Sequence, residues 1–356
     1  MSQSSLHQFL TGADDGDAIT GQALMIRNWL RQLGLQSHIY AQHIHPRVEK
    51  EVRHLSRYRQ GQEKDWALYH HSIGSDVPDF LAKQSLQLML VYHNITPTTF
   101  FERSDPMRME LSRLGLAQLL EMREQTGLAV ADSAFNELDL LEAGYENTAV
   151  LPLALDKEQY DLPLNETLAA QLQNSGPRLL FVGRLAPNKK QEDLVKLLYY
   201  YRRLEPQAHL YLIGDRWQVG YDKWIESLAV DYKVSDGLTL TDKISQQDMV
   251  TYYKTSDLYV SMSEHEGFGV PLIESMYFSL PVLAFGTTAV PYTLGDAGLQ
   301  FYRKDYERLA ELIQILMQNQ SLRRRIIARQ KERVQRFLEP EVRAQFKRLL
   351  QKMDVV

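Results

Sequence analysis

The sequence has 356 residues, 44 % hydrophobic and 24 % charged, which suffices for two hydrophobic cores of similar size rather than one. Its formal net charge of -5 supplies no overall positive field, so nucleic acid is not an expected partner. The absence of cysteine excludes a disulfide framework and a thiolate metal site and fits a reducing compartment.

Met1 to Leu10 lack the positive start and apolar core of a signal peptide, and no apolar run approaches the about 18 residues of a spanning helix. A cytoplasmic enzyme is the expectation. Short β-rich apolar runs alternate with amphipathic stretches, the pattern of an α/β chain with parallel sheets covered by helices. In the first half the pattern predicts strands at Leu6–Leu10, Ser37–Ala41, Trp66–His71, Leu86–His93, Leu128–Ala131 and Thr148–Leu151. Helices are predicted at Ala18–Leu33 and Met107–Gln125.

The first strand-to-helix turn holds Asp15-Gly16-Asp17. This tripeptide is formally an Asp-x-Asp metal signature, but it is too common to specify a metal, and Asp17 is placed to cap the helix from Ala18. Gly12, Gly16 and Gly21 miss the G-x-G-x-x-G spacing, which counts against a dehydrogenase. His93 ends a strongly apolar strand, so its side chain is expected to emerge at the ligand-binding edge rather than in the core. The alternative is a structural histidine hydrogen-bonded at a strand end. His70 and His71 point to opposite faces of their strand, and nothing marks a partner for either.

The stretch 156–177 is polar and turn-rich, with Lys157, Glu158, Asp161, Pro163, Asn165, Asn174, Ser175 and Gly176, and reads as a linker. The expected division is therefore 1–165 and 166–339, two doubly wound Rossmann-like domains facing across a cleft. Strands of the second are predicted at Leu179–Val182, Leu210–Ile213, Leu238–Leu240, Leu258–Ser261, Pro281–Phe285 and Leu299–Tyr302. Further on, Arg323, Arg324, Arg325, Arg329, Lys331, Arg333 and Arg336 form a basic run. It reads as a solvated helix face or as a peripheral contact with an anionic membrane.

Ligands of open α/β sheets bind beyond the carboxyl ends of the strands. The second half carries chemistry at two such exits. Gly183-Arg184-Leu185-Ala186-Pro187-Asn188-Lys189-Lys190 sets a guanidinium and an ammonium near one strand tip, a pair suited to a diphosphate. By itself a surface turn entering a helix would also explain it. Glu264-His265-Glu266-Gly267-Phe268-Gly269-Val270-Pro271-Leu272-Ile273-Glu274 is more specific. Gly267 and Gly269 permit close backbone approach, Pro271 suits a first helical turn, and the carboxylates of Glu266 and Glu274 can accept from sugar hydroxyls.

The segment Glu266 to Glu274 resembles the E-x7-E motif of retaining glycosyltransferases of family 4, and Gly183-Arg184 with Lys189 is similar to that family's donor-phosphate pair. The resemblance implies a GT-B fold, retention of anomeric configuration, and no resident cofactor or metal. Its co-substrate would be a GDP- or UDP-sugar carrying a hexose, and its acceptor a saccharide or lipid-linked molecule, as in bacterial-type glycan or glycolipid assembly. Arg184 and Lys189 would stabilise the leaving diphosphate, Glu266 would contact the transferred sugar, and Glu274 would hold the ribose. Gly267, Phe268 and Gly269 would line the donor, with Lys243-Ile244 near the base. On the other domain the resemblance puts Gly16 in the family's glycine-rich turn, His93-Asn94 at its acceptor-side histidine, and Ser133 to Asn136 in a cleft loop. It also implies that 340–356 crosses back to the first domain. Lys190 departs from the family's Gly, and Tyr292 stands after Pro291 where many relatives carry an acid. A nucleotide-sugar 2-epimerase and a non-catalytic sugar-nucleotide binder are the competing readings, and a pyridoxal phosphorylase is disfavoured by the short chain.

Overall fold

The computed structural model describes residues 5–59, 66–102, 104–173, 176–216 and 220–355. Met1, Asn174 and Ser175, named above, lie outside the described residues. The chain forms two compact units, Met1–Ala154 with Glu339–Val356, and Leu155–Leu338.

Among the described residues, unit 1 is built on seven strands: β1 (Leu6–Ala13), β2 (Ile39–Ile44), β3 (Val52–His54), β4 (Trp66–His71), β5 (Gln87–Tyr92), β6 (Thr126–Ala131) and β7 (Thr148–Val150). All pair in parallel in the order β3-β2-β1-β4-β5-β6-β7, the doubly wound order, with its switch point between β1 and β4. Helices α1 (Ala18–Gln32), α2 (Val77–Ala82), α3 (Pro106–Glu121) and α4 (Ala134–Glu142) follow strand exits. Asp17 caps α1 as expected, accepting from Thr20 N at 3.0 Å.

Both sheet faces are covered, which is why the central strands read as unbroken apolar runs. Along β5, Leu88, Leu90 and Tyr92 enter one core cluster, whereas Met89 and Val91 enter the other. Strand β3 was not foreseen: of its three residues only Val52 is buried, and Arg53 and His54 are exposed, so neither length nor alternation marks it.

Helix α3 approaches the β4 exit at two glycines. A Cβ on Gly115 would stand 2.6 Å from Gly74 N and 2.9 Å from Ile95 Cδ1, and Gly74 N donates to Leu111 O at 2.9 Å. Gly115→Ala should therefore destabilise unit 1 by about 1–3 kcal/mol through overpacking. Chemical denaturation would read this, and an unchanged midpoint would refute the close packing.

Among the described residues, unit 2 holds β8 (Arg178–Val182), β9 (His209–Ile213), β10 (Leu238–Leu240), β11 (Leu258–Ser261), β12 (Val282–Phe285) and β13 (Leu299–Phe301). They too are parallel, in the order β10-β9-β8-β11-β12-β13. Its helices are α5 (Lys157–Tyr160), α6 (Glu166–Gln171), α7 (Gln191–Arg202), α8 (Tyr221–Asp231), α9 (Gln246–Thr255), α10 (Val270–Tyr277), α11 (Val290–Leu294), α12 (Tyr306–Gln318) and α13 (Gln320–Val334). Over its described part, 156–173, the polar stretch is thus not an open linker. Asp156 and Asn165 cap α5 and α6, and Asn165 also donates to Asp248 Oδ1 at 2.7 Å and to Thr251 Oγ1 at 2.9 Å. The turn formers seen in the sequence act here as caps.

The last helix, α14 (Glu339–Lys352), belongs to unit 1, where Val342, Phe346 and Leu350 are buried with Ile26, Trp29 and Leu30 of α1. The basic run lies on α13 and just beyond. Arg323 donates to Asp257 O at 3.0 Å and Arg333 to Thr293 O at 3.0 Å, whereas Arg324, Arg325, Lys331 and Arg336 are exposed. No helix among the described residues is long and apolar enough to cross a membrane.

Candidate functional site

In unit 2 the exits of β8, β9 and β11 are bound together by their backbones. Gly214 follows β9 with φ 151°, and a Cβ there would lie 2.2 Å from Gly183 O, an approach that requires glycine. Leu185 N donates to Asp215 O at 3.0 Å, Glu264 N to Asn188 O at 2.8 Å, and the Asn188 amide to His265 O at 3.2 Å. These bonds bring two of the expected site residues into contact. Lys189 Nζ lies 2.7 Å from Glu266 Oε2, although 77 positions separate them in the sequence. The Glu266 amide is in turn held by Thr288 Oγ1 at 2.9 Å. Arg184 is exposed at the same strand exit, and Gln191 fixes its carbonyl at 2.9 Å.

Glu274 sits on α10, which begins at Gly269 with φ 87°. A Cβ on Gly269 would meet only the flexible Leu272 side chain, Cδ1 at 2.8 Å, so it is the left-handed conformation that reserves this position for glycine. The Glu274 carboxylate is buried, accepting from Tyr160 OH at 2.6 Å and from Tyr253 OH at 2.5 Å. Burial raises its pKa, and the two phenols oppose that shift. Burial, followed by the nearby Lys189 charge, pushes His265 down to about 4, so it stands neutral behind the pair.

Phe268 presents only its main chain: its ring is buried against Phe337 at 5.7 Å between centroids, and its carbonyl accepts from Thr293 Oγ1 at 2.6 Å. Gly267 stands half-buried in the same loop, and Ile244 is half-buried beyond β10 beside the exposed Lys243. Lys190 takes the left-handed φ of 55°, a conformation natural to glycine, and its ammonium lies 3.3 Å from Glu264 and 3.6 Å from Glu192. Tyr292 is exposed on α11.

The remaining expected residues are in unit 1. Gly16 is exposed after β1 with φ 75°. Ser133 and Asn136 form no loop: Ser133 caps α4, accepting from Asn136 N at 3.2 Å, because a serine ahead of an apolar helical run satisfies its free amides. The expectation that the His93 side chain emerges is overturned. Its side chain is only 2 % exposed, with Nδ1 2.7 Å from Asp132 Oδ2 and Nε2 2.8 Å from His70 Nδ1. Strand β5 ends at Tyr92, and groups from the β4 and β6 exits close over the next residue, where buried nitrogens must find partners.

Residues 167–333 match the family model described as glycosyl transferases group 1. The matched stretch lies within unit 2 and spans under half of the chain. Curated relatives include a GDP-mannose-dependent monoacylated alpha-(1-6)-phosphatidylinositol monomannoside mannosyltransferase of Corynebacterium glutamicum, 25 % identical over 176 residues, covering 46 % of this chain and 45 % of that protein. Another is O-antigen chain mannosyltransferase B of Escherichia coli, 27 % identical over 154 residues, 42 % of this chain and 39 % of that one. The matched stretch spans under half of either relative. Among solved structures, sucrose-phosphate synthase from Thermosynechococcus elongatus superposes with a TM-score of 0.75 at 16 % identity, over 98 % of this chain and 99 % of that one. Anabaena HepE in complex with UDP and glucose gives 0.75 at 16 %, over 98 % and 100 %. At such identity the likeness concerns the fold, two Rossmann-like units of the GT-B class.

In unit 2, sequence reasoning missed the supporting roles of Tyr160, Tyr253, Asn188 and Thr288, which hold the motif residues. It also missed Lys304, whose ammonium lies 2.7 Å from Glu264 Oε1 and 2.8 Å from Asp193 Oδ2 and ties the loop ahead of Glu266 to α7. A lone tyrosine or lysine far along the chain gives no local signal; only strand order identifies the exits it can reach.

Proposed function

We propose that this chain is a retaining glycosyltransferase that moves a hexose from a GDP- or UDP-sugar to a hydroxyl of a saccharide or lipid-linked acceptor. Unit 2 takes the donor and unit 1 the acceptor. The observation that carries the reading is the Lys189–Glu266 contact at two adjoining strand exits, with Arg184 on the same exit. A cation for the leaving phosphate and a carboxylate for the sugar hydroxyls stand within one hydrogen bond of each other. The GDP-mannose dependence of one relative and the UDP bound to one structural neighbour support the donor class.

In this reading the bond between the anomeric carbon and the phosphate oxygen breaks as the diphosphate takes up charge against Arg184 and Lys189. The acceptor oxygen bonds to the same face of that carbon, and its proton passes to the departing phosphate. The two cations carry the charge that a metal carries in other transferases. Glu274 orients the ribose through the lone pairs its two tyrosines leave open.

The test is a panel of nucleotide sugars read by thermal stabilisation and by release of nucleoside diphosphate with and without acceptors. One GDP- or UDP-hexose should raise the melting temperature, because ligand bound to the native state stabilises it. No stabilisation by any member would overturn the reading. An epimer formed from donor alone would move it to the isomerase class.

A further inference from the structure

A buried polar chain links the exits of β4, β5 and β6 to β1 and α1 in unit 1. Gln8 Nε2 donates to Ala23 O at 2.9 Å, Gln8 Oε1 lies 2.9 Å from His70 Nε2, His70 Nδ1 lies 2.8 Å from His93 Nε2, and His93 Nδ1 lies 2.7 Å from Asp132 Oδ2. The two rings are 6° from coplanar orientation, and Gln8, His70 and Asp132 are no more than 2 % exposed.

The protons on this chain can be counted. Ala23 O only accepts, so the Gln8 amide must turn its nitrogen there and its oxygen toward His70. His70 Nε2 therefore carries hydrogen. Burial, with His93 adding to it, disfavours a charge on His70, which leaves its Nδ1 bare. His93 Nε2 must then donate to that bare nitrogen. What remains is His93 Nδ1 against Asp132 Oδ2, and this contact needs a proton on one partner or the other. Without it, lone pair would face lone pair. Shifting tautomers along the chain only moves the conflict to the His70–Gln8 contact. The other titratable groups near by supply no relief: His71 is spent on Gly115 O at 2.9 Å and Tyr69 OH at 3.1 Å, and Tyr92 OH on Asp139 at 3.2 Å.

We infer that Gln8, His70 and Asp132 are positioning residues that keep one proton shared between His93 and Asp132, so that His93 presents Nε2 as a hydrogen-bond donor and not as an acceptor. Under the transferase reading, on which this consequence rests, His93 is therefore not the base that takes the acceptor's proton. That leaves the proton to the departing phosphate.

The test uses the whole chain with nitrogen-15 in its histidines, observed by NMR near neutral pH, and compares it with Asp132→Asn. An asparagine can turn its amide to donate to His93 Nδ1, which completes the chain with no surplus proton. The unsubstituted protein should show hydrogen on Nε2 of both His70 and His93, with an additional low-field proton at the His93–Asp132 contact. In Asp132→Asn the low-field signal should vanish, while both Nε2 hydrogens and the remaining histidine signals stay. A bare Nε2 on His93, or a low-field proton that survives the substitution, would overturn the inference. Loss of all histidine signals in Asp132→Asn through unfolding would shift the decision to the unsubstituted spectrum, where a bare His93 Nε2 still refutes it. None of these readouts depends on transfer, so failure of the transferase reading is seen separately.

Discussion

Lys189→Ala is expected to lower transfer from a nucleotide sugar by about 10²–10³-fold, the usual effect of removing one preorganised group that meets charge developing on a leaving oxygen. Lys189 reaches its position because the short helical turn at Pro187–Lys189 is stapled to the β11 exit by Asn188 and Glu264. Its ammonium is preorganised by Glu266, and the pair is shielded, with side-chain exposures of 21 % and 14 %. The substitution also strands the Glu266 carboxylate, at a cost of roughly 1–2 kcal/mol of stability for a partly shielded group. Initial rates at saturating donor, set beside a melting curve, separate the two effects. Lys189→Arg should recover part of the rate, since charge returns but the compact ammonium does not. A folded Lys189→Ala protein with rates within a few-fold of the original would remove this residue from the mechanism.

For Glu274 the informative substitution is Glu274→Gln, which is expected to leave stability equal or higher while weakening donor binding about 10–100-fold, the worth of hydrogen bonds to a charged acceptor. The sign follows from linkage. Burial raises the folded pKa of this carboxyl above its ordinary value of 4.5, so between the unfolded and folded values the native state binds the extra proton. Stability from this group is present at low pH and is lost as pH rises through that window. Glutamine removes that loss and keeps an oxygen for a phenol. Glu274→Ala differs, because it orphans both Tyr160 OH and Tyr253 OH at about 1–3 kcal/mol each. Denaturation midpoints across acid to neutral pH, together with donor titrations, check both halves. Equal donor affinity in Glu274→Gln would show that the carboxylate charge is not used.

The parallel sheets were legible because strands covered on both faces are continuous apolar runs, and Trp66–His71 and Leu258–Ser261 coincide with β4 and β11 to the residue. What escaped was structure whose logic is not periodic. Strand β3 is one buried valine between exposed neighbours, and 156–177 looked like a linker because capping residues and turn residues are chemically the same. Of the two glycines after β11, Gly269 takes the special backbone that such residues at a strand exit announce, with φ 87°. Their supports did not show, because the contacts from Tyr160 to Glu274 and from Lys304 to Glu264 join positions 114 and 40 apart. His93 was misread for a related reason. A strand-end histidine is exposed only if its neighbours leave it so, and here Asp132 and His70 do not.

Helix α14 gives the chain a temporal asymmetry. The strip of α1 that it covers, including Trp29 and Leu30, is made early, but its cover lies beyond the whole of Leu155–Leu338. During synthesis that strip lacks its cover while unit 2 is produced. Unit 1 begins first and is completed last, and the exposed interval is when aggregation competes with assembly. Closing so long a loop adds little further entropy cost, so the vulnerability is one of waiting time rather than of final stability.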